Sequence, residues 1–200
     1  MLILNGGSYY PESREVDKFW VSQISTNDPV AFIPAATTQS PESYFDFFRS
    51  KMQPYGCTNL IAVDLYADWN PVRDAKAIYI AGGNTFKLID IMRRSCFAEY
   101  LRQVWTNLIL IRNSAGAVVL GLDLRTSNDQ NLIGLHDTSG LQFVNFSICP
   151  HYTEEKRARL ETLTQSLQHR VIGLPENSAL AITAHETTPF GPLQNFYPKS

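Results

Sequence analysis

The chain has 200 residues, enough for one ordinary core that buries roughly 70% of its unfolded surface. Hydrophobic residues make up 44% and charged residues 18%, a balance that excludes a disordered chain. Lys and Arg total 17 against 19 Asp and Glu, so the formal net charge is -2 and no basic field exists to gather nucleic-acid phosphates or an anionic membrane surface.

The longest apolar runs, such as Ala75 to Ala81 and Leu108 to Ile111, fall far short of the ~20 residues that cross a bilayer. Met1-Leu2-Ile3-Leu4 has no basic segment before it and no small-residue cleavage site after it, which predicts a cytoplasmic protein. Cys57, Cys96 and Cys149 are widely spaced and form no C-x-x-C pair. They read as core residues rather than as a disulfide framework or a zinc site, and no metal or cofactor is called for.

In chain order, strands are predicted at Met1 to Leu4, Val30 to Pro34, Asn59 to Leu65, Ala77 to Ala81, Leu108 to Arg112, Phe143 to Ile148 and Val171 to Leu174. Ala179 to Thr183 is expected as an antiparallel addition. Most of these runs are apolar without alternation, as strands buried on both faces are. Amphipathic helices lie between them. Ser40-Pro41-Glu42 supplies a capping hydroxyl, a first-turn proline and a first-turn carboxylate. Thr153 is expected to cap a helix whose apolar stripe is Leu160, Leu163 and Leu167. The predicted fold is an α/β three-layer sandwich, a mostly parallel doubly wound sheet with helices on both faces, in a single domain over 1–200. Glu186 to Ser200 reads as an irregular, proline-bearing tail.

The chemistry concentrates in Leu108-Ile-Leu-Ile-Arg-Asn-Ser-Ala-Gly-Ala-Val-Val-Leu-Gly121, a buried strand, a sharp turn at Ser114 and a short helix. That is the pattern of a nucleophile elbow, in which Ser114 Oγ projects from the strand end and the backbone N–H groups of the next helix face a developing oxyanion. Arg112 occupies the position of the first glycine in G-x-S-x-G. A serine needs a base. His151 follows a strand and precedes a helix, so it emerges at the carboxyl edge of the sheet where open α/β folds place their sites. His136, His169 and His185 sit in a polar loop, a helix end and the tail. Spacing leaves the acid open between Asp129, which lies between serine and histidine in the chain, and Glu176, which also follows a strand. Gly82-Gly83-Asn84-Thr85 offers a second set of close backbone N–H groups. Asn5-Gly6-Gly7 is another glycine turn after a strand, but it matches no nucleotide-binding pattern.

Jointly, Phe32-Ile-Pro-Ala-Ala36, Ala81-Gly-Gly-Asn-Thr85, Asn113-Ser-Ala-Gly-Ala117, Arg125-Thr-Ser-Asn-Asp129, Pro150-His151 and Gly173-Leu-Pro-Glu176 resemble the peptidase E (aspartyl dipeptidase) family of serine peptidases. These are relatives of cyanophycinase within the class I glutamine-amidotransferase-like superfamily. The resemblance implies Ser114 as nucleophile, His151 as general base and Asp129 as the residue orienting it, with the N–H groups of Gly83 and Ala115 around the oxyanion. It further implies that an N-terminal aspartate is bound through Lys156 and Arg159, with Lys156 standing where the family has arginine. Arg112 departs from the family's glycine, which leaves three readings: it crowds the pocket, binds an anionic substrate group, or marks a member that has lost activity.

The reading is a serine dipeptidase acting on short peptides through a Ser-His-Asp triad. Its rivals are a silent superfamily member that binds a small ligand or partner in the same cleft, and an amidase or esterase on the same triad. Trp20, Trp69, Trp105 and the aromatics from Tyr44 to Phe48 are compatible with a homodimer interface.

Overall fold

The computed structural model describes residues 1–7, 11–37 and 39–199. Five parallel strands form the body of a seven-stranded sheet: β1 (Leu2–Asn5), β2 (Val30–Ile33), β3 (Leu60–Ala62), β4 (Ala77–Ile80) and β5 (Ile109–Asn113). Their spatial order is β3-β2-β4-β5-β1, all parallel. The expected antiparallel addition, β8 (Ala179–Ile182), pairs with β1, and β9 (Thr187–Phe190) pairs antiparallel with β8 at the edge.

Both faces are covered, as strands without a polar face require. On one face α1 (Arg14–Val21) and α2 (Pro41–Met52) set Trp20, Phe48 and Met52 against Ile3, Phe32 and Ile111. Ser40 caps α2 as expected, its side chain accepting from Ser43 N at 3.1 Å. Beneath these helices the Lys51 and Asp17 side chains, almost fully buried, form an ion pair at 3.1 Å. Asp17 also accepts from Ser13 Oγ at 2.6 Å and Trp20 Nε1 at 3.2 Å. The other face carries α3 (Thr85–Arg94), α4 (Phe97–Val104) and α5 (Ala115–Leu120) over Leu4, Ile80 and Leu110.

Four expectations are corrected. Cys96, read as a core residue, is exposed in the turn between α3 and α4. The run Phe143 to Ile148 becomes a strand only from Ser147: β6 (Ser147–Pro150) pairs in parallel with β7 (Val171–Leu174) in a separate three-stranded sheet. The backbone before it is turned aside, with Phe143 N donating to Leu120 O at the end of α5. The tail is not irregular, since it supplies β9 and β10 (Gln194–Phe196), the latter antiparallel to β7; Ser200 lies outside the described residues. Pro189 is accommodated because β9 pairs on one side only, where a missing N–H costs no ladder bond. Thr153 makes no side-chain cap; a 3-10 turn at Glu154–Lys156 leads into α6 (Arg157–Leu167) instead. Leu160 of α6 packs on Cys149, Val171 and Phe196 of the small sheet.

Candidate active site

Ser114 directly follows β5 with φ 50° and ψ -110°, a conformation that costs a non-glycine residue on the order of 1–3 kcal/mol. The surroundings hold it there. Ser114 N donates to Asn5 O at 3.0 Å. Gly116 lets α5 start against the sheet, where a Cβ would stand 2.9 Å from Ile80 O.

His151, the residue after β6, also has positive φ, at 50°. Its N–H donates to Gly6 O at 2.7 Å. Its ring lies against Gly7, where a Cβ would stand 2.1 Å from His151 Cε1. The Asn5-Gly6-Gly7 turn therefore forms one wall of the histidine's seat. The glycine pair was visible in the sequence, but its role follows from β1 lying beside β5.

In this geometry Ser114 Oγ is 2.7 Å from His151 Nε2, and His151 Nδ1 is 2.9 Å from Glu176 Oε1. Glu176 reaches the ring because β6 and β7 are parallel neighbours, with Pro150 opposite Leu174, so the residues after each strand emerge side by side. Asp129, the acid implied by the family resemblance, is engaged elsewhere. Its Oδ2 accepts from Thr85 N at 2.8 Å, Thr85 Oγ1 at 2.5 Å and Ser127 Oγ at 3.0 Å. Three donors on one oxygen fix the carboxylate to the start of α3, while Glu176 takes the position on Nδ1. Thr85 and Ser127, which make this seat, stand in two of the stretches that carry the family resemblance, but nothing local to either stretch pairs Thr85 with Asp129.

A cavity of about 220 Å³ is lined by Ser114, His151, Gly82, Gly83 and Asp129 among others. Gly83 has φ 139°, and a Cβ there would stand 2.1 Å from Ala36 O, so only glycine brings this backbone so close to the neighbouring loop. Asn84 caps α3 through Lys87 N and donates to Gln130 O at 2.9 Å, tying the glycine turn to the loop that carries Asp129. A larger hollow of about 690 Å³, between Phe45, Asp64 and Lys87 at the ends of β2 and β3, holds neither Ser114 nor His151.

None of the three expected substrate-binding cations lines the small cavity. Lys156 Nζ donates to His151 O. Arg159 donates to Ser127 O at 2.6 Å, Arg125 O at 3.1 Å and Asn128 Oδ1 at 3.0 Å, so it braces the loop before Asp129. Arg112 is fully buried. Its register partners Leu4 and Ile80 belong to the core under α3 to α5, so its side chain enters that core, and Nε and both terminal nitrogens have no hydrogen-bond partner. Burial pushes its pKa well below the ordinary guanidinium value. Burial likewise raises the thiol of Cys149, two residues before His151. Among the described residues no His, Cys, Asp and Glu cluster has the makings of a metal site, and no helix is long and apolar enough to cross a membrane.

The sequence pattern of peptidase family S51 matches residues 1–189. The chain belongs to that family. Across 182 residues it is 32% identical to a peptidase E from Nostoc, covering 84% of this chain and 74% of that one. A peptidase E from Salmonella gallinarum is 29% identical over 185 residues, covering 86% of this chain and 78% of that one. In architecture the S51 chain resembles a protein from Listeria monocytogenes EGD-e that carries the peptidase E name. The TM-score is 0.72 at 21% identity, over 94% of this chain and 96% of that one. The S51 protein is thus a peptidase and a serine hydrolase.

Proposed function

We propose that this S51 peptidase is a dipeptidase or short-peptide hydrolase working through Ser114, His151 and Glu176. The observation that carries the reading is the unbroken path of Ser114 Oγ, His151 Nε2, His151 Nδ1 and Glu176 Oε1, with contacts of 2.7 and 2.9 Å at its two ends. Nucleophile, base and orienting acid are each within hydrogen-bond reach of the next, as serine hydrolysis requires.

In the reaction Ser114 Oγ attacks the scissile carbonyl carbon while His151 Nε2 takes the hydroxyl proton. Glu176 holds Nδ1–H and offsets the charge on the ring. The N–H groups of Gly83 and Ala115 donate to the carbonyl oxygen as it becomes an oxyanion. His151 returns the proton to the leaving amine as the C–N bond breaks. Water, deprotonated by the same ring, then releases the acyl group from Ser114. The cavity of about 220 Å³ is below the usual 300–1,000 Å³ of ligand pockets, which supports a small substrate.

Preference for an N-terminal aspartate draws its support from the family resemblance. It requires Lys156 or Arg159 to exchange a backbone carbonyl for the substrate carboxylate, and a dipeptide panel varying the first residue tests it. Obstruction by Arg112, the ground for a silent protein, loses support from that side chain's position in the core. The activity is tested by mass-spectrometric mapping of a fluorophosphonate adduct on the native protein. The expected result is an adduct on Ser114 that disappears in His151→Ala; no adduct on the wild type would sink the reading.

A further inference from the structure

The hollow of about 690 Å³ at the ends of β2 and β3 has the size of a ligand pocket, and the hydrolase reading leaves it unused. Pro34, Val63 and the ring of Phe45 give it an apolar lining. Arg49 lies over the Phe45 ring, 4.7 Å from its centre, and pairs with Asp46 at 2.5 Å, so these two lining charges answer each other. Lys87, Glu42 and Asp64 also line the hollow, and none of them has an ion pair among the described residues. Asp64 Oδ1 accepts from Tyr66 N at 2.9 Å, which fixes its carboxylate at the rim without neutralising it. The hollow is walled off from Ser114 by the loop after β2. Ala35 and Thr37 of that loop line the hollow, while Ala36 O between them accepts from Asn84 N at 3.1 Å and lies against Gly83, which lines the cavity of Ser114.

Asp64 follows β3, and Lys87 sits on the helix that follows β4. Those strands flank β2, about 10 Å apart, so carboxylate and ammonium reach the hollow from two sides. Unpaired charges of both signs around one apolar lining match a ligand that carries both charges and an apolar side chain. A free amino acid holds its two charges on one carbon, and an extended dipeptide separates them by about 7 Å. We infer that this hollow is a second ligand site, which binds a zwitterionic amino acid or short peptide with its carboxylate on Lys87, its ammonium on Asp64 and an apolar side chain against Phe45 and Val63. The inference stands on this hollow alone and goes beyond the hydrolase reading, under which such ligands are the substrates and products of the enzyme.

The test is titration calorimetry of leucine into the full chain before and after Ser114 is blocked with a fluorophosphonate, and of leucylleucine into the blocked protein. Leucinamide, N-acetylleucine and glycine serve as controls. Leucine is expected to bind blocked and unblocked protein alike, and loss of its carboxylate, its ammonium or its side chain should each weaken binding by about 10-fold. Lys87→Gln should bring leucine down to the affinity of leucinamide, and Asp64→Asn to that of N-acetylleucine. Lys87→Arg, which keeps the charge, should retain most of the affinity. Tighter binding of leucine or of leucylleucine upholds the site and tells whether an amino acid or a peptide is its occupant. Three results overturn the inference: no binding of either ligand at about 10 mM, binding that vanishes once Ser114 is blocked, or an unchanged leucine affinity in Lys87→Gln. If Ser114 does not react, the hydrolase reading falls, and the Lys87 and Asp64 variants decide the second site on untreated protein.

Discussion

Replacing Glu176 separates the acid that the structure brings to His151 from the one that the family resemblance implied. Glu176→Ala removes the acceptor on His151 Nδ1, a bond of 2.9 Å to a group that becomes charged in the proposed reaction. A hydrogen bond to a charged partner is worth about 1.5–3 kcal/mol. At 1.36 kcal/mol per tenfold in rate, that is about 10- to 150-fold in kcat. The Glu176 side chain is 70% exposed and that of His151 37%, so water screens the interaction and can partly replace it. The expected loss therefore lies at the low end, about 10- to 30-fold, far below the ~10⁴-fold seen where a triad acid is buried. Glu176→Gln, which can still accept from Nδ1–H but carries no charge, should fall in between. Because Glu176 does not line the cavity, KM should move little. The assay is a steady-state kcat and KM comparison on one dipeptide, with the rate of Ser114 labelling measured alongside. Glu176 variants within twofold of wild type would refute the reasoning, above all if Asp129→Asn abolished labelling.

Other substitutions probe the frame around the site. Gly7→Ala forces a left-handed conformation at φ 125° and drives a Cβ into the His151 ring, so Ser114 labelling should slow at least as much as in Glu176→Ala, with the far-ultraviolet spectrum retained. Arg112→Met should raise Tm. The folded-state pKa is depressed, so the cost of burying the charge is full below that folded value and fades as pH rises through it towards the unfolded one. Relief of about 1–4 kcal/mol amounts to roughly 2–15 °C in a chain of this size, and a lower Tm would count against an uncompensated guanidinium. Burial raises the thiols of Cys57 and Cys149 while Cys96 is exposed, so iodoacetamide at pH 8 should label Cys96 first. A raised thiol pKa leaves stability unaffected below the unfolded-state value. Above it, near pH 8.5, the unfolded chain loses protons first and thermal stability should decline. Early labelling of Cys149 in folded protein would contradict its burial.

The strands of the main sheet were legible because residues buried on both faces must be apolar throughout, and Val30 to Ile33 or Ile109 to Ile111 can be nothing else. Ser114 and His151 were legible as well, since an elbow needs small residues after the serine and a histidine after a buried strand has its place at the carboxyl edge. What local pattern could not supply was neighbourhood. Phe143 to Phe146 is apolar enough for a strand, yet it turns away to bond the end of α5, and only its continuation joins β7. That pairing places Glu176 on His151, whereas spacing had left the acid open and the family resemblance had implied Asp129. Lys51 and Asp17 are likewise distant along the chain, and only the placement of α1 and α2 on one face of the sheet buries them together. Local physics reads hydrophobic period and turn chemistry along the chain, but an ion pair or a triad is set by distances across it. The parallel pairing of β6 and β7 decided which carboxylate meets the histidine, because strands that run side by side deliver their following residues to one place.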